Sequence, residues 1–195
     1  MESEGADFVE LRRQQFRKVF QPSRIVLGIL SDLRRSRVNV ITLCFDMYCS
    51  YKPPMMAFAI HKHAYSFGLL EQSTECVLAI PGERLAEEAM YCGVESAAST
   101  EKFQKCGFTA VPSKHLGVPG IAEAIANVEL SIVSKVRTGD HLTAFGRVLR
   151  FGVAKENKER CLLSVGPRTS GYCVLARKGV HRIAVVDGAV ERMEL

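Results

Sequence analysis

Polar side chains gather at the edges of two apolar runs in the first third of the chain. The first run carries Asn39 and Thr42. The second run, residues 55–60, is followed by a set of cationic and hydroxyl side chains: His61, Lys62, His63, Tyr65 and Ser66. Short amides and hydroxyls suit the polar edge of a flat ring, and charged donors make strong hydrogen bonds to phosphate oxygens. The pattern therefore indicates a ligand made of a flat polar ring joined to a phosphate.

Other interpretations fit the same residues when each segment is taken alone. The first run is also typical of an ordinary strand that contains a β-prone Thr, and the His-Lys-His segment of an exposed strand end. His61 and His63 have the spacing of two metal ligands on one strand face, but no third His or Glu follows at a suitable distance. No metal site is therefore predicted.

Hydrophobic patterning predicts the elements that position these residues. Strands are predicted at 24–31, 38–44, 55–60, 75–80, 124–136, 141–151, 161–165, 172–176 and 182–186. Helices are predicted at 7–20, as an N-terminal extension, at 66–72, at 84–91, and from an N-cap at Ser99 through Cys106. Short strands around a few helices predict a mainly β fold, an α+β barrel with helical insertions.

Composition limits the class of protein. With 195 residues, 47% of them hydrophobic, the chain suits one domain over 1–195. The net charge is +5, but the cations alternate with apolar residues and no nucleic-acid motif occurs, so no nucleic-acid partner is predicted. No apolar run approaches a membrane span, and the acidic start is unlike a signal peptide, so we expect a cytoplasmic protein.

Cysteine usage favours free thiols. The seven cysteines are odd in number and contain no CxxC, which argues against a disulfide framework or a zinc site. Cys76 and Cys173 lie in apolar runs and are expected to be buried, and the spacing of Cys44 and Cys49 matches no dithiol motif. Packing thiols are therefore the prediction for all seven.

Six short motifs occur in the order typical of one family. They are NVITLCF (39–45), KPPMMAFAI (52–60), YSFGLL (65–70), EKF (101–103), ANVELSIV (126–133) and GDHLTAFGRV (139–148). Over roughly residues 20–150 the chain resembles the flavoredoxin-type members of the flavin reductase-like proteins. The resemblance implies an FMN-binding split barrel, FMN as cofactor, NADH or NADPH as electron donor, and a homodimer.

The resemblance also implies roles for individual residues. It places five consecutive residues beside the isoalloxazine: Asn39, Val40, Ile41, Thr42 and Leu43. It places the phosphate at His61, Lys62, His63, Tyr65 and Ser66. Relatives often have Arg where this chain has Ala64, which leaves His61 or His63 to supply that charge.

Two further residues complete the implied site. Lys102 matches a lysine that balances the phosphate or a reduced flavin, although a surface lysine on a short helix is an equal alternative. His141 matches a histidine on the nicotinamide or substrate side of the flavin, where an imidazole can donate a hydrogen bond or exchange a proton. The implied function is an FMN-dependent NAD(P)H flavin reductase or flavoredoxin that passes electrons to free flavin, a metal ion or a redox protein. A non-enzymatic FMN carrier and a split barrel with another ligand remain open.

Overall fold

The computed structural model describes residues 12–13, 16, 19–155, 158–167 and 169–188. Its strands are β1 Ser23–Arg24, β2 Val26–Asp32, β3 Arg37–Leu43, β4 Asp46–Tyr51, β5 Pro54–His61, β6 Glu75–Ile80, β7 Ala110–Val111, β8 Gly120–Ile121, β9 Ala126–Thr138, β10 His141–Val153, β11 Leu163–Ser164, β12 Tyr172–Lys178 and β13 His181–Val186. Its helices are α1 Tyr65–Gln72, α2 Ala86–Val94 and α3 Lys102–Lys105, with single 3-10 turns at Leu33–Arg35 and Glu83–Leu85. The helix predicted at 7–20 lies largely outside the described residues.

The main sheet is antiparallel and has seven strands in the order β3-β2-β6-β9-β10-β5-β4. Its two outermost strands, β3 and β4, are consecutive in the chain and are joined only by Cys44 and Phe45. So short a connection spans at most about 10 Å. The sheet must therefore curl until the end of β3 meets the start of β4, and in the described structure these two strands do not pair with each other. The barrel is therefore open between β3 and β4.

Apolar residues fill both faces of the curled sheet. Inside, Leu30, Phe58, Leu78 and Leu130 are at most 1% exposed, and α1 packs its buried Leu70 against them. Outside, α2 and the second sheet, ordered β1-β11-β13-β12, cover a second cluster that includes Val77. The site described below lies where α1 and α2 meet β3.

A glycine sets the turn between the two longest strands. Gly139 has φ +62°, a left-handed conformation that L-residues with a Cβ adopt only with strain. It leads into Asp140 and His141, and His141 pairs in register with His61 of β5. The predicted turn at 137–140 therefore brings two sequence-distant histidines together.

The predicted fold class, a mainly β split barrel with helical insertions, is confirmed. The helix expected from Ser99 was wrong in its start, because α3 begins at Lys102 with Glu101 at the N-cap position. Strand β4 was not predicted. Within the described residues, no helix is both long and apolar enough to cross a membrane.

The cysteine prediction was correct only in part. All seven are free thiols, and Cys76 and Cys92 are buried. Cys49, Cys161 and Cys173 are exposed instead: Cys49 and Cys173 lie on the edge strands β4 and β12, and Cys161 precedes the short strand β11.

Candidate functional site

A polar cavity of about 220 Å³ opens where α1 begins and α2 ends. It is lined by Ile41, His63, Ala64, Tyr65, Ser66, Cys92, Gly93, Val94, Glu95, Ser96, Ala97 and Lys102. The helix α1 starts at this cavity, and its N-cap position is Ala64, which supplies no side-chain cap. Unpaired N–H groups and the positive end of a helix dipole attract anions.

Lys102 is the cation of this cavity. Its side chain comes from α3, is only 4% exposed, and its Nζ donates to the carbonyl of Cys92 at 2.7 Å. In the described part of the chain, no carboxylate lies within ion-pairing distance of it. Burial lowers the pKa of Lys102 below that of an exposed lysine. An anion in the cavity would supply the missing countercharge.

Ser66 is a hydroxyl donor held in place from the barrel wall. Asn39 Nδ2 donates to Ser66 Oγ at 2.7 Å, so the Ser66 proton is available for another acceptor. Asn39 itself is buried in β3 and does not line the cavity, and its Oδ1 has no hydrogen-bond partner among the described residues. Asn39 therefore acts on the cavity through Ser66.

Tyr65 is fixed by a buried carboxylate. Its hydroxyl donates to Asp32 Oδ2 at 2.8 Å, and Arg35 lies over its ring at 5.3 Å from the centroid. Arg37 also contacts Asp32 Oδ2, with its Nε 3.4 Å away. The single hydroxyl proton of Tyr65 is therefore donated to Asp32. Ser66 and Lys102 remain as the side-chain donors at this end of the cavity.

Two arginines hold the loop that closes the cavity. Arg35 donates to the carbonyl of Ala98 at 2.6 Å, and both Arg35 and Arg37 donate to the carbonyl of Ala97. The sequence pattern assigned these arginines no role in a site. No local signal separates them from their neighbours, because their partners lie about sixty residues further along the chain.

A histidine cluster lies beside the cavity. His141 Nδ1 is 2.6 Å from Asp140 Oδ1, and the His61 ring centroid is 5.0 Å from that of His141. His63, which lines the cavity, is 5.1 Å from His61. On the other side, Phe45 packs against His141 at 5.1 Å. The hydrogen bond with His141 holds the pKa of Asp140 below its usual value. The histidines thus run from the cavity to the β3–β4 connection.

The structure places the predicted site residues in three groups. The cavity brings together Ile41, His63, Tyr65, Ser66 and Lys102. His61 and His141 form the neighbouring cluster. The remaining five, Asn39, Val40, Thr42, Leu43 and Lys62, lie outside the cavity lining.

The reasons for the third group differ. Val40 and Leu43 are buried in the two apolar clusters, and Thr42 Oγ1 donates to the carbonyl of Ala89 in α2 at 2.5 Å. Lys62 is exposed. Across the described ranges, no three His, Cys, Asp or Glu side chains are arranged to hold a metal ion.

Comparison with known proteins identifies the family. The family model for the flavin reductase like domain matches residues 25–176. An uncharacterized protein of Archaeoglobus fulgidus is 34% identical over 111 residues, which are 57% of this chain and 63% of the relative. The matched segment therefore spans less than two thirds of that relative.

Two solved structures share the fold. Flavoredoxin from Methanosarcina acetivorans has a TM-score of 0.77 at 16% identity, covering 97% of each chain. An FMN-binding protein from Thermus thermophilus, solved with p-hydroxybenzaldehyde, has a TM-score of 0.71 at 19% identity, covering 98% of this chain and 100% of that one. With the family match, the chain belongs to the flavin reductase-like family and adopts its split-barrel fold.

Proposed function

We propose that this protein binds FMN and works as an NAD(P)H-dependent flavin reductase or flavoredoxin, passing electrons onward to an acceptor such as free flavin, a metal ion or a redox protein. Family membership supports the flavin chemistry, and two structural neighbours are an FMN-binding protein and a flavoredoxin. The observation that carries the proposal is the buried Lys102 beside the uncapped start of α1.

The residues present fit the phosphate end of FMN. Lys102 supplies a cation without a paired carboxylate, Ser66 a hydroxyl proton, and the start of α1 N–H groups that no side chain caps. Together they are a set of donors with too few acceptors, which is what a dianionic phosphate requires. His63 at the rim supplies a further donor beside Ala64, the position at which relatives often have Arg.

The cavity accommodates only part of the cofactor. At about 220 Å³ it is smaller than pockets that enclose whole ligands of this size, which are roughly 300–1,000 Å³. We therefore assign it to the phosphate and the polar chain attached to it. The flavin ring would lie beyond this cavity, toward β3, and a second copy of the chain would complete the binding site of the ring.

A bound FMN would supply the redox chemistry, since its ring accepts and releases one or two electrons. The protein's own contribution is to position the bound ligands and to donate protons to them. Asp140 orients the His141 ring through Nδ1, so that Nε2 is the nitrogen left to face a ligand. We propose this nitrogen as the group that contacts the nicotinamide carboxamide.

An absorbance spectrum of the purified protein, followed by anaerobic titration with NADH and with NADPH, tests the proposal. We expect flavin absorbance, or its appearance after FMN is added, and bleaching by at least one nucleotide. Retention of FMN that neither nucleotide reduces would favour a non-enzymatic carrier. Failure to take up FMN would overturn the proposal in favour of another ligand.

The same titration tests the role proposed for His141. His141→Ala should slow reduction by the nucleotide and leave FMN affinity nearly unchanged. Loss of FMN together with an unchanged reduction rate would show instead that His141 is a flavin-binding or structural residue. His181, exposed at the start of β13, provides the matched His→Ala control.

A further inference from the structure

Two cysteines that are distant in sequence touch in the structure. Cys92 lies in the last turn of α2 and is fully buried, whereas Cys106 follows α3 and is partly exposed. Their Sγ atoms are 3.7 Å apart. The two sulfur atoms are therefore in contact, although thirteen residues separate the two cysteines in the chain.

The two thiols occupy different environments. Cys106 opens onto a surface cavity of about 350 Å³ lined by charged side chains, including Glu88 and Lys105, whereas Cys92 faces the cavity of Lys102. A hydrogen bond from Cys92 lowers the pKa of Cys106, and Lys102 adds to this, while burial and Glu88 oppose it. The same contact, followed by burial, raises the pKa of Cys92. The accessible sulfur is therefore the one that ionises first.

We propose that Cys92 and Cys106 form a redox-active dithiol that reacts reversibly with low-molecular-weight disulfides. The Cys106 thiolate attacks one sulfur of the small disulfide, forming a mixed disulfide and releasing one thiolate. Cys92 then attacks Cys106 and releases the second small thiolate, which takes up the Cys92 proton. In sum, two protein thiols are oxidised to one disulfide and one small disulfide is reduced to two thiols.

The contact geometry is close to what the bond requires. A disulfide has an S–S distance of about 2.05 Å, so the sulfurs must approach by about 1.7 Å. Cys106 is the more exposed of the two cysteines. Its backbone N–H donates to the carbonyl of Lys102 at 2.9 Å.

The bond would clamp Lys102. Its Nζ is bonded to the carbonyl of Cys92, and its carbonyl to the N–H of Cys106, so both ends of the dithiol contact this one lysine. Oxidation would tie α2 to α3 across the loop 95–101. The dithiol itself does not depend on FMN being the ligand of the cavity.

The full-length protein equilibrated with mixtures of reduced and oxidised glutathione provides the test. After the remaining thiols are blocked and the protein is cut with trypsin, Cys92 and Cys106 fall in separate peptides, 85–102 and 106–114. We expect these peptides to become linked as the share of oxidised glutathione rises, with a mass loss of two hydrogens, and to separate again in reduced glutathione.

Single variants identify the attacking sulfur. In Cys92→Ser the mixed disulfide should accumulate on Cys106, because no partner resolves it, whereas in Cys106→Ser the buried Cys92 should stay unmodified. Cys173→Ser, which changes an exposed cysteine on β12, should link 85–102 to 106–114 as the unchanged protein does. Thermal melting of each variant checks that it is folded.

Three outcomes would overturn the proposal. They are absence of the linked peptide in the folded protein at every glutathione ratio, linkage only in denaturant, and linkage no greater than that between exposed cysteines such as Cys49 and Cys161. A failure to bind FMN would leave these results unchanged, so the dithiol and the proposed cofactor are tested separately.

Discussion

A buried ammonium group without a paired carboxylate is costly, and Lys102 is such a group. A single carbonyl satisfies only one of its three N–H donors. Its position next to Ser66 and the start of α1 concentrates donors in the cavity, and Glu95, the carboxylate among the lining residues, is ion-paired with Lys178 instead. At the residue scale, this imbalance is the best argument for an anionic ligand.

Lys102→Met should weaken FMN binding and leave riboflavin binding almost unchanged. A charge-assisted hydrogen bond contributes about 1.5–3 kcal/mol, so the loss should be roughly 10- to 150-fold in Kd. Fluorescence titration of both ligands measures it. Lys62→Met is the matched control, because the sequence resemblance implies Lys62 for this role while the structure leaves it exposed. A larger effect at Lys62 than at Lys102 would move the phosphate to the His61–His63 segment.

The pH dependence of FMN binding should reflect the lowered pKa of Lys102. The ammonium form binds phosphate, so FMN affinity should fall as the pH rises through the pKa that Lys102 has in the free protein. Bound phosphate favours the charged form and raises that pKa, which is the same linkage seen from the protein. Riboflavin titrations over the same pH range provide the baseline. A fall that persists in Lys102→Met would assign the dependence to another group.

Residue types alone could predict a phosphate-binding region but not which side chains face it. Asn39 and Thr42 were expected on the flavin, yet their side chains bond to Ser66 and to the carbonyl of Ala89. The packing of α2 against β3 determines which β3 side chains are free to contact a ligand. No local sequence pattern predicts that packing. Arg35 and Arg37 were missed for the same reason, since the carbonyls they hold belong to a distant loop.

At the element scale, sequence patterns located most strands because apolar residues alternate or cluster in them. Strand Glu75–Ile80 was predicted with its observed bounds; β9 differs from its prediction by two residues at each end, and β10 starts as predicted and ends two residues later. Strand β4 escaped prediction because most of its residues are exposed and it has no apolar alternation. It is an edge strand, and most of its side chains are exposed.

Gly139→Ala should destabilise the protein through the β9–β10 turn. A non-glycine residue at φ +62° costs about 1–2 kcal/mol, which corresponds to a Tm lower by roughly 2–8 °C in a chain of this size. Gly68→Ala is the control with the opposite sign, because Gly68 lies inside α1 and, apart from its chain neighbours and its own helix backbone, nothing lies within 4 Å of the added Cβ. There we expect a gain of about 0.5–1 kcal/mol. Equal Tm shifts in the two variants would show that the turn tolerates a Cβ.

At the scale of the whole molecule, the split barrel leaves an apolar surface uncovered among the described residues. Strands β4, β5 and β10 line a groove of about 700 Å³. Its exposed apolar residues include Tyr48, Tyr51, Leu149 and Phe151, which are 41–88% exposed. A contiguous apolar surface of this kind marks an interaction site. The sequence resemblance implied a dimer, but only the structure shows which surface is available for it.

We expect the chain to form a homodimer through this groove, and Phe151→Glu should dissociate it. Phe151 is 67% exposed in one chain, so a charge there costs the monomer little, whereas burying that charge in a dimer interface would be strongly unfavourable. Sedimentation velocity over a range of protein concentrations measures the change. Val180→Glu, on the exposed turn between β12 and β13, introduces the same charge outside the groove and should leave the dimer intact. This assembly would be contradicted if both variants dissociated the dimer, or if the protein without substitutions were monomeric at every concentration. If FMN binding is lost with the dimer in Phe151→Glu while Val180→Glu keeps both, the cofactor site requires the second copy, because the cavity of one chain is too small for the whole ligand.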